Sequence, residues 1–176
     1  MKNALIVLAA AISAAACSQN LPTAPGNPPA PAASTSVTGG AGPVVTGSAH
    51  TLSAGGELRA VAFNAVALPD GSASGEAQIN VQSIDAWWHT RIECLAVVGN
   101  RAFLGGTIAE ASDARIRVGT KSYFWVEDHG EGAGAPADRV SLAGVNETPE
   151  GLEDFCGLVQ NLLPGLDVLR GNVQIR

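Results

Sequence analysis

The sequence predicts an all-β fold: a small antiparallel β-barrel of about eight strands, or a β-sandwich as the alternative, with one short helix near the C-terminus. Three observations predict it. From Glu57 onward, short apolar runs alternate with polar residues at a period of two, the pattern of strands with one buried face. Turn signals built on glycine punctuate those runs, in a chain with 21 glycines. The stretch from Thr46 to Arg176 is long enough to bury a core, and 176 residues suit a single domain.

The elements follow in order. Met1 and Lys2 make a minimal positive start, Ala4 to Ile12 are apolar, and Ser13 to Ala16 are small. This is the layout of a secretory signal and is too short for a lasting membrane span, so residues 1–16 are expected to be removed on export. Ala14-Ala15-Ala16-Cys17 resembles the lipobox of bacterial lipoproteins, with Ala14 where that family usually has leucine. The resemblance implies cleavage before Cys17 and fatty-acyl attachment, palmitate included, to its sulfur. Ser18 and Gln19, with no aspartate after the cysteine, resemble the members of the family sent to the outer membrane. The alternative is an ordinary signal cut near Ala16 and a freely secreted protein. Each buried methylene of an anchor contributes roughly 0.8 kcal/mol, and several chains make the attachment durable.

Residues 18–45 carry no charge and include Pro22, Pro25, Pro28, Pro29, Pro31 and Pro43, six of the ten prolines. Proline has no N–H for a ladder, and no period of 2.0 or 3.6 runs through the segment. The expectation is a lipidated Cys17 followed, through Val45, by a disordered or polyproline-II tether.

The single β-domain is expected over 46–176. Glu57 to Leu68 reads as a strand with Val61 and Phe63 on one face, closed by a Pro69-Asp70-Gly71 turn. Glu76 to Gln82 alternates cleanly, with Ala77, Ile79 and Val81 inward. The next strand places Trp88, Thr90, Ile92, Cys94, Ala96 and Val98 inward, with His89, Arg91 and Glu93 outward. A Gly99-Asn100 turn then returns the chain through Ala102, Leu104, Gly106 and Ile108. Arg115 to Val118 reads as a short half-exposed strand. Tyr123 to Glu127 sets Tyr123 and Trp125 against Phe124 and Val126. Arg139 to Ala143 is another short strand. Asn172 to Arg176 is a terminal strand suited to closing a barrel against an early one. Thr148 as cap, Pro149 at the first helical position and Glu150 in the first turn predict a helix between Glu150 and Leu162, placed as an end plug or across an open edge. The rhythm Gly56-Glu57-Leu58, Phe63-Asn64-Ala65, Asp70-Gly71, Cys94, Val98-Gly99-Asn100 and Asp128-His129-Gly130-Glu131 also resembles secreted bacterial β-domains, a resemblance that implies no function.

With Cys17 assigned to lipid, Cys94 and Cys156 remain for a disulfide in an oxidising compartment, or as two buried thiols. Trp87, His89 and Arg91 share an outward face and are candidate ligand contacts, as is Trp125, through stacking on a sugar ring or another flat ligand. Asp128, His129 and Glu131 lie in an acidic glycine-rich loop, 127–134, that is a weak candidate for a hard cation and otherwise a solvated turn. No catalytic set emerges: there is no G-x-S-x-G elbow and no His-x-x-x-His pair. No cofactor is expected.

The net charge of −6, with basic residues scattered singly, argues against nucleic acid. The expectation is an exported, membrane-anchored β-domain, on the outer membrane or cell surface, with a non-enzymatic binding or structural role. Its partner would be an envelope protein, a glycan or a small ligand. Two alternatives stand beside it, a carrier of a small apolar ligand and an envelope hydrolase.

Overall fold

The computed structural model describes residues 42–156 and 163–176. The expectations for the signal segment, Cys17, the tether up to residue 41 and the last turn of the helix fall outside them. In chain order the strands are β1 (Val44–Leu52), β2 (Leu58–Ala67), β3 (Ala73–Val81), β4 (Ala86–Val98), β5 (Arg101–Ala111), β6 (Lys121–Glu127), β7 (Arg139–Ser141) and β8 (Gly144–Glu147); α1 (Pro149–Cys156) and β9 (Gly165–Ile175) follow.

The fold is a closed antiparallel barrel. Strands β1 to β6 pair each with the next, β6 pairs with β7, β7 with β9, and β9 returns to β1, which makes eight strands in the ring. Strand β8 is the extra one. It pairs with the same edge of β6 as β7 does, Lys121 opposite Glu147 and Tyr123 opposite Gly144, so β7 and β8 are one path broken near Leu142. Closure leaves β1 to β5 paired on both sides, which removes the exposed edges an open sheet would carry.

Alternation builds the interior as the sequence predicts. Val61, Phe63, Ala77, Ile79, Val81, Trp88, Leu104, Ile108, Phe124 and Val126 are all buried in one cluster. The barrel is bridged from wall to wall: the rings of Phe63 on β2 and Phe124 on β6 meet edge-to-face with centroids 5.7 Å apart. The turns at Leu68–Ser72 and Gly99-Asn100 also form as read. Asp70 accepts the Ser72 N–H at 3.0 Å, and Gly99 takes a φ of 63° that a side chain would disfavour.

Four expectations are corrected. The tether expected to run through Val45 gives way to a strand by Val44, and all of β1 escaped the reading because its Thr, Gly, Ser and His obscure the alternation of Val45, Ala49 and Thr51. Arg115–Val118 is no strand. Asp113 accepts the Arg115 N–H through its carboxylate at 2.8 Å and the Ile116 N–H through its carbonyl at 2.9 Å, which turns the chain. Ile116 is buried by this turn and joins the interior cluster. Strand Arg139–Ala143 stops at Ser141 and restarts at Gly144.

The fourth correction concerns Cys94. On β4, Ile92 opposes Gly106 and Cys94 opposes Gly105, so Glu93 is an inserted residue. A bulge of this kind exchanges the two faces beyond it. Leu95 and Val97 therefore pack on the interior, while Ala96 joins a second cluster on the outside. That outer cluster consists of Phe103, Trp125 and Phe155, with Tyr123, Cys156 and Leu163 against it. Helix α1 lies over it, so the helix is a patch on the barrel wall and not an end plug. Phe155 stacks near Tyr123 at 4.3 Å and meets Phe103 edge-on at 5.6 Å. The disulfide Cys94–Cys156, with Cα atoms 6.1 Å apart, bonds helix to wall. Gly105 makes the approach: a Cβ there would lie 2.1 Å from Leu152 Cδ1. Thr148 caps the helix as predicted, accepting the Gly151 N–H at 3.4 Å.

Candidate functional site

The antiparallel register puts outward side chains in rows across the barrel. One row runs His50, Ala60, Asn80, Trp87 over β1 to β4. The next runs Ser48, Ala62, Gln78, His89 and reaches Glu110 on β5. A third runs Thr46, Asn64, Glu76, Arg91. Neighbouring strands stand about 4.8 Å apart and alternate residues of a strand about 6.7 Å. These rows are therefore a grid, with β2 contributing alanine at two successive outward positions between longer side chains on β1 and β3.

The alanines create a trough. Two shallow depressions overlap along it, and a third adjoins them across β3 to β5. One of about 250 Å³ lies around Ala62, Asn64, Glu76, Gln78 and His89. A second of about 310 Å³ lies around Ser48, His50, Ala60, Gln78 and Asn80. A third of about 390 Å³ extends past Ser74, Glu76, His89 and Arg91 to Glu110. Of the four predicted contact residues, Trp87, His89 and Arg91 share the outer face of β4, and His89 and Arg91 line these depressions. Trp87 and His89 are half-buried, with ring centroids 5.3 Å apart, and Arg91 is exposed beside them.

Trp125 stands elsewhere and offers no face to a ligand. It is 3% exposed in the cluster under α1 and donates its indole N–H to the Leu163 carbonyl at 3.1 Å. The Arg101 guanidinium lies 4.3 Å from its ring centroid and that of Arg139 5.7 Å. Both arginines also reach the buried Glu127: Arg101 by a hydrogen bond and Arg139 at 3.6 Å. This is a packed and paired assembly of the wall.

The acidic loop spends its polar atoms separately. Asp128 accepts the N–H of Gly130 at 2.8 Å and of Ile175 at 2.9 Å. Glu131 accepts from the Asn172 side chain at 2.7 Å, and His129 Nδ1 lies 2.6 Å from the Ala137 carbonyl. Asp138, which the sequence reading did not single out, accepts the N–H of His129 at 2.9 Å and of Val173 at 2.8 Å. These carboxylates hold β9 where β7 is too short to do so. Among the described residues no group of three His, Cys, Asp or Glu side chains is placed to hold a metal ion.

Across the strands Glu76 stands opposite Arg91, and Glu110 opposite His89. Beyond the trough, burial pushes the Glu93 carboxyl up, but the Lys121 ammonium and the Thr107 hydroxyl outweigh it and hold the group below the ordinary carboxylate range. Glu57 is likewise lowered, by hydrogen bonds from Ser83 and Arg59.

The side-chain amides divide in a way the sequence did not signal. Asn100, Asn146, Asn172 and Gln174 each hydrogen-bond to the protein. Asn64, Gln78, Asn80 and Gln82, all on the trough, make no side-chain hydrogen bond to the described residues. Only the cross-strand register could reveal that they stand together.

Comparison with protein-family models, with curated proteins and with solved structures returns no significant match.

Proposed function

We propose that the chain is an exported barrel domain, held on the cell envelope by lipid on Cys17, that acts by non-enzymatic contact through its outer surface. The observation that carries this reading is the cysteine pairing. The chain has three cysteines, and Cys94 and Cys156 are bonded to each other. A structural disulfide belongs in an oxidising compartment, and the cysteine left over needs a fate there. Cys17 follows Ala14-Ala15-Ala16, the position at which lipoproteins carry their acyl chains. No helix among the described residues is long and apolar enough to cross a membrane.

The barrel supports contact over carriage. Phe63 and Phe124 span the interior that a carrier would leave open, and Ile79, Ile92, Leu104 and Ile108 are almost completely buried around them. A hydrolase would need Asp128, His129 and Glu131 to converge, and they are spent separately, Asp128 on the Ile175 N–H, Glu131 on the Asn172 side chain and His129 against the Ala137 carbonyl. The test is Cys17→Ser expressed with its own signal segment. The wild-type chain should fractionate with membranes and incorporate labelled palmitate; the variant should be soluble and unlabelled. A Cys17→Ser chain that stays with membranes would overturn the anchor.

A further inference from the structure

We propose that the trough along β2 binds an extended, uncharged glycan strand, an inference that rests on the reading of an exported barrel acting by contact. The floor is the first argument. Alanine is depleted in strands, where β-branched and aromatic side chains fit the pleated surface better. Yet Ala60 and Ala62 occupy successive outward positions on β2, and Ala62 is exposed. Nothing in the interior packing calls for them, since Val61, Phe63 and Ala65 do that work. Their effect is to sink a groove between the Ser48 and His50 ridge on one side and the Gln78 and Asn80 ridge on the other.

The walls are the second argument. Asn64, Gln78, Asn80 and Gln82 offer planar amides, each with two donors and an acceptor, and none is used by the protein. Every other described amide side chain is bonded within the fold. Groups that both donate and accept match hydroxyls, which also do both. The Trp87 indole stands beside Asn80 at the end of a row, where it can lie against the apolar face of a sugar ring.

The remaining features select the chemistry. Arg91 stands opposite Glu76, and Glu110 opposite His89, so the trough carries no cluster of positive charge for a phosphate or a polyanion. Strands β1 to β4 are hydrogen-bonded on both edges, so a peptide has no edge here to extend. A ligand must bring its own donors and acceptors to the side chains, as a chain of sugars does.

The test uses the full-length chain in mild detergent. It is run in native gels containing dextran, soluble β-glucan or glycol chitin, with heparin as the charged control. The oligosaccharide of any retarding polymer is then titrated against tryptophan fluorescence. Trp88 and Trp125 are each 3% exposed, so the accessible indole is Trp87. Retardation by a neutral polymer and shielding of Trp87 from iodide are expected. Ala62→Phe, which fills the floor, and Gln78→Ala should each weaken binding about tenfold or more, equivalent to about 1.4 kcal/mol. Asn80→Ala replaces Ala62→Phe if the latter lowers the unfolding midpoint. Retardation by heparin alone, by none of the polymers, or equally for wild type and the floor variant overturns the proposal. Because the binding is read in detergent, its failure leaves the Cys17 anchor standing, and membrane retention of Cys17→Ser leaves the glycan result standing.

Discussion

Thr90 is a single residue whose environment makes a sharp prediction. It is 1% exposed, faces the interior opposite Ile108, and its hydroxyl finds no partner among the described residues. Nearby in the same interior, Trp88 donates its indole N–H to Ser122 Oγ at 3.2 Å, so a polar group can be satisfied there when it has a mate. A buried hydroxyl without one costs about 1–3 kcal/mol, and valine has nearly the same shape. Thr90→Val should therefore raise the urea midpoint, by about 1 kcal/mol in stability. Loss of stability in Thr90→Val would mean that the hydroxyl has a partner, such as a bound water. The sequence placed Thr90 inward correctly through its alternation. It could not show the lack of a partner, which depends on β3 and β5 alongside.

At the scale of elements, α1 is held by burial and by one covalent bond. Leu152 and Phe155 are its buried residues, lying over Phe103 and Tyr123 on the wall. The disulfide closes a separation of 62 residues, and chain entropy puts its contribution at about 4 kcal/mol as an upper guide. Two perturbations should converge. Reductant should add two hydrogen atoms to the mass, one on each sulfur, and lower the urea midpoint. Gly105→Val should do the latter with the disulfide intact, because the new side chain collides with Leu152. The cost expected of Gly105→Val is about 2 kcal/mol, typical of overpacking. An unchanged midpoint in both would mean that the helix contributes nothing to the barrel. The helix and its cap were legible in Thr148-Pro149-Glu150. Its position on the wall was not, because the bulge at Glu93 that turns Cys94 outward arises from pairing with Gly105 and Gly106, and neither glycine has a Cβ to hold β5 away. At Gly106 a Cβ would lie 1.7 Å from the Arg91 carbonyl oxygen.

The whole molecule depends on a thin seam. Strand β7 pairs with β9 only from Gly165 to Asp167, although β9 runs on to Ile175. Beyond that point Asp138 and Asp128 accept the β9 N–H groups of Val173 and Ile175 in place of a neighbouring strand. On its other edge β9 zips against β1, as far as the paired Val44 and Arg176. Asp138→Ala leaves the buried Val173 N–H and the His129 N–H without acceptors. The variant should lose about 3 kcal/mol and show faster amide exchange along β9 than along β3, measurable by hydrogen-exchange mass spectrometry. Uniform exchange across the barrel would show that the seam is no weaker than the rest. The loop read from sequence as a weak cation candidate thus closes the barrel.

By itself the sequence determined the class of fold, the inward faces of β3 and β5, the division of β2 and β6 into two faces, the turns after β2 and β4, and the capped start of α1. These follow from stereochemistry within a few residues: alternation along a strand, a left-handed glycine, a hydroxyl at a helix end. Only the tertiary structure decided which side of the wall Cys94 takes, how Asp128 and Asp138 are used, and that Asn64, Gln78 and Asn80 stand together along a trough. Each of those depends on register between strands distant in the chain, where a one-residue shift exchanges the faces.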